Sequence, residues 1–246
     1  MKILVCISKA PDTTSKISFK ENDTKFMEDG VQWIINTYDE WYALVRALEL
    51  KEKFGGTVTT VSVGGTDYEP IIRKAFAIGA DDGVRIDSAP TDAFFVAKQI
   101  ADFAKTQNFD IIFLGRETVD YNGGQVGGMI AELLDLPFVS MAGKLDLNGN
   151  VALCERDIQG GIEVLEVKTP FVISAAKGMA EQRIPNMRGI MAARTKPLKV
   201  IPASEGQKHT SVISYILPPP KAACKMVPAE NPEQLIELLH NEAKAI

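Results

Sequence analysis

The residues best suited to chemistry stand together in one run, Leu114-Gly115-Arg116-Glu117-Thr118-Val119-Asp120-Tyr121-Asn122-Gly123-Gly124-Gln125-Val126-Gly127-Gly128-Met129. A short apolar strand, Ile111 to Leu114, leads into this loop, and a helix over Met129 to Leu136 is expected to leave it. Glycine lets backbone approach a ligand closely, and a helix N-terminus presents unpaired N–H groups with partial positive charge. The chemistry that fits is phosphate capture. Gly123, Gly124, Gln125, Val126 and Gly127 would offer backbone N–H groups, while Asp120 orients the loop or a ribose hydroxyl. The run matches neither Gly-x-x-x-x-Gly-Lys-Ser/Thr nor Gly-x-Gly-x-x-Gly. It contains no lysine for a γ-phosphate, so a monophosphate or diphosphate fits better than triphosphate chemistry. The plain alternative is a glycine-rich turn and nothing more.

Other candidates are sparser. Asn36 and Asp39 read either as ligand contacts or as ordinary capping residues of the helix that follows. Cys6 lies inside a β-branched strand with no charged neighbour to form its thiolate, so it reads as a small core residue rather than a nucleophile. Tyr38, Trp41 and Tyr42 crowd the start of that helix, suited to packing or to presenting one ring to a partner or flavin. The run Arg183-Ile184-Pro185-Asn186-Met187-Arg188-Gly189-Ile190-Met191 mixes cations with flexible apolar groups. It is either solvated surface over core or a docking loop, with Met187, flanked by Ile184, Ile190 and Met191, filling another protein's pocket. The only histidines, His209 and His240, sit late in the chain and apart from any acid–base constellation. No catalytic group and no metal site is expected.

The elements that must position these groups follow from periodicity. Lys2 to Ser8, Thr57 to Val63, Gly83 to Ile86 and Asp110 to Leu114 read as strands. They alternate with helices over Trp41 to Phe54, Asp67 to Ile78 and Thr91 to Thr106, and a small hairpin turns at Glu21-Asn22-Asp23. Such alternation predicts an α/β fold with a parallel sheet flanked by helices, whose ligands sit beyond the carboxyl ends of the strands. From about residue 138 the pattern changes. Met141 to Leu147, Val151 to Arg156, Ile162 to Val167 and Phe171 to Ala175 read as an antiparallel meander. Lys177 to Arg194 reads as irregular and Ser211 to Ile216 as a further strand. Pro218-Pro219-Pro220 stiffens an extended arm, and Asn231 to Ala245 forms a closing helix that folds back or reaches a partner. The expected division is a nucleotide-binding domain over 1–217 and an arm with helix over 218–246.

Composition excludes several classes. The 246 residues are 46% apolar, enough to bury a sizeable core, and the net charge of −5 gives no basic field for nucleic acid or an anionic membrane. No run of about 18 apolar residues predicts a membrane span. Cys6, Cys154 and Cys224 are too scattered for a disulfide framework or zinc site, which fits a reducing cytoplasmic setting.

Three stretches taken together resemble the beta (small) subunit of the electron transfer flavoproteins, and the likeness covers essentially the whole chain. Ile35-Asn36-Thr37-Tyr38-Asp39-Glu40 with Ala47 to Glu52 is similar to that family's Asn-Pro-aromatic opening of its first helix. Ala75 to Asp81 and the loop Asp120 to Gly127 form the second stretch. Glu155-Arg156-Asp157-Ile158-Gln159-Gly160-Gly161-Ile162-Glu163-Val164-Leu165, then Pro170-Phe171-Val172-Ile173, looks like the family signature, with Gln159 where an acid is usual. The Arg183 to Met191 run is similar to Pro-Arg-Tyr-x-x-Leu-x-x-Ile-Met, with Gln182, Ile184 and Met187 in place of Pro, Tyr and Leu.

The resemblance implies an adenine-nucleotide alpha-hydrolase-like fold and a heterodimer with an alpha subunit that carries the redox-active FAD. It implies an AMP in this subunit, contacted by Cys6, Asn36, Val63, Asp120, Gln125, Val126 and Gly127. Met187 falls on the apolar plug that docks into dehydrogenases, and Tyr38 on an aromatic near the flavin. Another flavin-proximal aromatic of the family falls on Thr13. Electrons would pass from flavin dehydrogenases, such as acyl-CoA dehydrogenases, to a quinone reductase or another acceptor. In electron-bifurcating members the same pocket holds a second FAD. Asp39 leans toward that group, whereas Thr37 and Gly128 lean toward AMP. The rival outside this class is a stand-alone adenine-nucleotide sensor or ATP-hydrolysing α/β protein.

Overall fold

The computed structural model describes residues 1–37, 39–221 and 223–246. The chain begins with β1 (Lys2–Cys6) and the short β2 (Lys9–Pro11). A two-rung hairpin of β3 (Phe19–Lys20) and β4 (Lys25–Phe26) follows, and then β5 (Trp33–Ile35), which returns antiparallel to β2. Next come α1 (Asp39–Phe54), β6 (Thr57–Val63), α2 (Glu69–Ile78), β7 (Asp82–Asp87), α3 (Ala93–Ala104), β8 (Ile111–Gly115) and α4 (Val126–Leu134). The remainder comprises β9 (Phe138–Asn148), β10 (Val151–Ile158), β11 (Gly161–Lys168), β12 (Phe171–Ala175), α5 (Met187–Ala193), β13 (Leu198–Pro202) and α6 (Pro232–Glu237).

One sheet organises the molecule, in the order β11-β10-β9-β12-β8-β1-β6-β7-β13. From β9 to β13 all neighbours pair in parallel, while β9, β10 and β11 form an antiparallel extension. The central parallel strands β1, β8 and β12 are buried almost throughout because helices cover both faces, whereas the edge strand β13 is largely exposed. α1, α2 and α5 lie over one face, where Leu44, Leu48, Ile72 and Phe76 pack against Ile3, Val5 and Phe113. α3 and α4 cover the other, with Phe95, Ile100 and Ile130 against Leu4, Ile112 and Val172. Each such side chain taken fully out of water contributes about 1.5–3 kcal/mol before conformational entropy is set against it. Among the described residues no helix is long and apolar enough to cross a membrane.

The α/β class and the alternation agree with the sequence, but four expectations need correction. Phe171 to Ala175 is not part of the meander. It is β12, buried along its whole length and slotted in parallel between β8 and β9. The supposedly irregular Lys177 to Arg194 contains α5, a real helix capped by Asn186. Ser211 to Ile216 forms no strand: Ile213 and Ile216 are exposed, and the edge beside β7 is taken by β13 instead. The closing helix is shorter than expected, with α6 ending at Glu237 and one wider helical turn over Leu238–Glu242.

Candidate functional site

The order of the strands places the site. The chain winds outward from β1 through β6 to β7, then crosses back to lay β8 on the other side of β1. Beyond the carboxyl ends of β1 and β8 the connections therefore part, leaving the crevice where open α/β sheets take ligands. The loop from Arg116 to Gln125 enters this crevice from β8, and Ile7 and Ser8 enter it from β1.

Asn36 fixes the loop. Its side chain is fully buried; Nδ2 donates to the Glu117 carbonyl at 2.8 Å and Oδ1 accepts from the Val119 N–H at 2.9 Å. Both ends of the amide are thus committed to the loop rather than to capping α1. Asp39 follows in the first turn of α1, nearly buried; burial raises its pKa despite Arg116, whose Nε lies 3.4 Å away. Arg116 also pairs with Glu117 at 2.8 Å.

Glu40 was not singled out by the sequence, yet it lies at the centre of the crevice floor. One carboxylate oxygen accepts from the Ser8 backbone N–H at 2.9 Å and the other from the Ser8 hydroxyl at 2.6 Å. Burial pushes its pKa up to about 7, against the lowering effect of the Ser8 bonds and the Asn36 backbone N–H, and the Asp120 charge raises it further. Gly115 explains how the carboxyl fits, since a Cβ there would lie 2.8 Å from the Glu40 Cγ and 2.9 Å from its backbone nitrogen. The only sequence signal for Glu40 was an acid in the first turn of a helix, which is ordinary.

The glycine loop opens into α4 three residues earlier than expected, at Val126. Gln125 stands at the cap position in helical conformation and its side chain makes no capping bond, so the first N–H groups of α4 lack that acceptor. Three glycines of the loop and the helix start serve different purposes. Gly124 adopts a φ of 60°, in the left-handed region. Gly127 permits close packing, because a Cβ would lie 2.9 Å from both Leu114 and the Phe138 ring. A Cβ on Gly123 would meet nothing within 4 Å, so that backbone is open to approach. The Asp120 carboxylate accepts from the Tyr121 N–H at 3.0 Å. Val63 ends β6 next to β1, and Cys6 is buried at the end of β1, where burial and the Glu40 charge push its thiol well up and keep it neutral. Tyr38 lies outside the described residues.

The C-terminal segment crosses this edge. Asp92, the N-cap of α3, accepts from the Thr210 N–H at 2.9 Å. Further on, the Tyr215 N–H donates to the Asp23 carbonyl at 2.7 Å, and its ring stacks on Phe19 at 4.6 Å. The Tyr215 hydroxyl comes within 3.5 Å of the Tyr121 hydroxyl on the glycine loop.

The second candidate region is apart from the crevice, on α5 and the segment before it. Ile184, Met187, Ile190 and Met191 are exposed, Ile184 at 82% and Met187 at 74%. Their backbone is nonetheless held firmly. Asn186 Oδ1 accepts from the Gly189 N–H at 2.8 Å, and Arg73 donates to the carbonyls of Ala193 and Lys196 at 2.9 and 2.6 Å. Arg183 forks onto Glu52 at 2.7 and 3.2 Å, while the Trp41 indole N–H reaches the Arg183 carbonyl at 3.2 Å. Among the described residues no cluster of His, Cys, Asp and Glu is arranged to hold a metal ion.

Fold and edge together define a doubly wound α/β protein whose switch-point crevice carries a glycine loop and an uncapped helix start, an arrangement suited to an anionic ligand. Residues 23–206 match the family description "Electron transfer flavoprotein domain". Over 260 aligned positions covering all of both chains, the sequence is 37% identical to electron transfer flavoprotein subunit beta of Bacillus subtilis. It is 37% identical to the subunit beta of Syntrophomonas wolfei, over 91% of this chain and 88% of that one. With human electron transfer flavoprotein subunit beta it shares 33% identity, over 97% of this chain and 96% of the relative. The chain belongs to the electron transfer flavoprotein family, a family of flavin-associated electron carriers, and these full-length relatives are beta subunits.

Proposed function

We propose that this chain is the beta subunit of a heterodimeric electron carrier, paired with an alpha subunit, that takes electrons from flavin dehydrogenases such as acyl-CoA dehydrogenases and delivers them to a quinone reductase or another acceptor. The observation that carries this reading is the end-to-end match, which includes the arm beyond the sheet domain, to proteins named as beta subunits. The arm and helix over 218–246 would then contact the partner subunit. FAD, held mainly by that partner, supplies the redox chemistry when bound.

The crevice fits an AMP. The uncapped first turn of α4, the open backbone at Gly123 and the left-handed turn at Gly124 suit its phosphate, with Gln125, Val126 and Gly127 donating N–H groups. Asp120 would orient the loop or a ribose hydroxyl. Cys6, Asn36 and Val63 would line the inner wall, with Asn36 acting through its hold on the loop. No side chain of this chain performs acid–base catalysis in this reading; its residues bind, orient and dock. Met187, supported by Ile184, Ile190 and Met191, would fill a pocket on the dehydrogenase, since a flexible thioether adapts to an irregular pocket and a braced backbone leaves only the side chain's own rotamer freedom to be lost.

Co-expression with the partner subunit tests the whole reading. A yellow 1:1 complex releasing one FAD and one AMP on denaturation is expected; a colourless monomer would sink it, and two FAD would mean an electron-bifurcating protein. Met187→Glu should lower the rate of electron transfer from a dehydrogenase by tenfold or more, on the scale of an interface anchor worth about 2 kcal/mol, with the nucleotide content unchanged.

A further inference from the structure

We infer that Glu40 is a positioning residue of the nucleotide site that takes up a proton when an anionic ligand binds the glycine loop. This rests on the crevice being that site. The geometry makes Glu40 a junction. Its carboxylate holds Ser8, at the end of β1, through both backbone and hydroxyl, and receives the Asn36 backbone N–H; the Asn36 side chain then holds Glu117 and Val119. Both walls of the crevice are thereby tied to one buried carboxyl.

Among the described residues, the groups acting on it include no compensating cation. From β1 come the Cys6 thiol and Ser8, from α1 the adjoining Asp39 carboxyl, and from the β8 loop Asp120, while Glu117 acts on Asp39. Tyr68, past the end of β6, senses the Glu40 charge as well. Arg116, the cation of the crevice, pairs with Asp39 and Glu117 instead. A buried carboxylate without a counter-ion is poised to neutralise itself when more negative charge arrives. The Asp120 charge, on the glycine loop, already works in that direction. A phosphate on the N–H groups of the same loop adds to it. The Ser8 clamp survives protonation: the hydroxyl can turn to accept, though more weakly than it donates to the charged carboxylate, and the other oxygen keeps the backbone N–H. The change is one of charge and not of shape, so Glu40→Gln mimics the protonated form.

The test uses the full chain co-purified with its partner subunit and freed of nucleotide. AMP is titrated in calorimetrically between pH 6 and 8.5, in two buffers of different ionisation heat. The phosphate's own titration near pH 6 is common to every variant and cancels in the comparison. The wild type should take up a fraction of a proton more than Glu40→Gln near neutral pH. Its affinity should fall as pH rises through and above 7, by about tenfold for each unit that the ligand shifts Glu40. Glu40→Gln should keep only the pH dependence that the phosphate's own titration gives. Equal proton counts and parallel profiles overturn the role of Glu40 and leave the nucleotide site standing; no AMP binding by the wild type overturns the site itself. Should Glu40→Gln fail to fold, Ser8→Ala provides the second reading. It removes a hydrogen bond that favours the ionised form, so the pH midpoint of binding must move upward, and an unmoved midpoint overturns the inference.

Discussion

Glu40 and Asn36 stand four positions apart at the entrance to one helix, and neither does what its position in the sequence advertises. An Asn before a helix reads as a cap, and an acid in the first turn reads as a partner for the helix dipole. Only tertiary burial turns the first into a staple for the glycine loop and the second into a clamp on β1. Asn36→Ala strips the Glu117 carbonyl and Val119 N–H of their buried partner. It should cost about 1–3 kcal/mol in denaturant unfolding, with faster hydrogen exchange across 116–120; unchanged exchange there would refute the staple. Glu40 also sets a pH dependence of stability. Its pKa rises from an ordinary 4.5 to about 7 on folding, so the folded state binds the extra proton between those values. The stability associated with the protonated form is complete below pH 4.5 and is lost as pH rises through 7, on the order of 3 kcal/mol in all. Glu40→Gln should remove that slope, leaving a variant whose stability relative to the wild type improves between pH 5 and 8. A slope that persists in urea titrations of the variant would place its origin elsewhere.

Among elements, α5 shows how little of the proposed docking platform is legible in one dimension. Its seven residues hold a glycine and two methionines, a composition that looks irregular until α2 is brought beneath it. Gly189 is what allows the approach, because a Cβ there would lie 2.3 Å from the Ala77 backbone carbonyl oxygen. Gly189→Ala must lift α5 off α2. We expect a loss of about 1–3 kcal/mol in stability and slower electron acceptance from a dehydrogenase, with AMP content unchanged; retention of both stability and rate would show that the platform tolerates displacement. The strands divide along similar lines. β1, β6 and β8 were legible because continuous β-branched runs mark strands buried on both faces. β13 was not, since Lys199, Val200 and the exposed face of an edge strand dilute the pattern. Ser211 to Ile216 has the right composition for a strand but no free sheet edge to join, and composition cannot report that.

At the scale of the whole molecule, the class and the alternation were readable, and the resemblance carried the rest of the functional expectation. What sequence order concealed was which distant segments become neighbours. The arm illustrates this: its early part is stapled to Asp92 and to the hairpin, while residues beyond 217 lie largely exposed on this chain. Ending the chain at Leu217 should therefore leave a folded sheet domain, with far-ultraviolet circular dichroism little changed, that no longer retains the partner subunit through gel filtration. Retention of the partner would move the contact elsewhere. β12 carries a different consequence, for synthesis. It fills the slot between β8 and β9, yet the ribosome makes it after both of them and after the intervening β10 and β11 hairpin. Until Phe171 to Ala175 emerges, two apolar strand edges stand unpaired in the middle of the sheet, so a chain halted near residue 170 is a sticky intermediate rather than a smaller version of the domain.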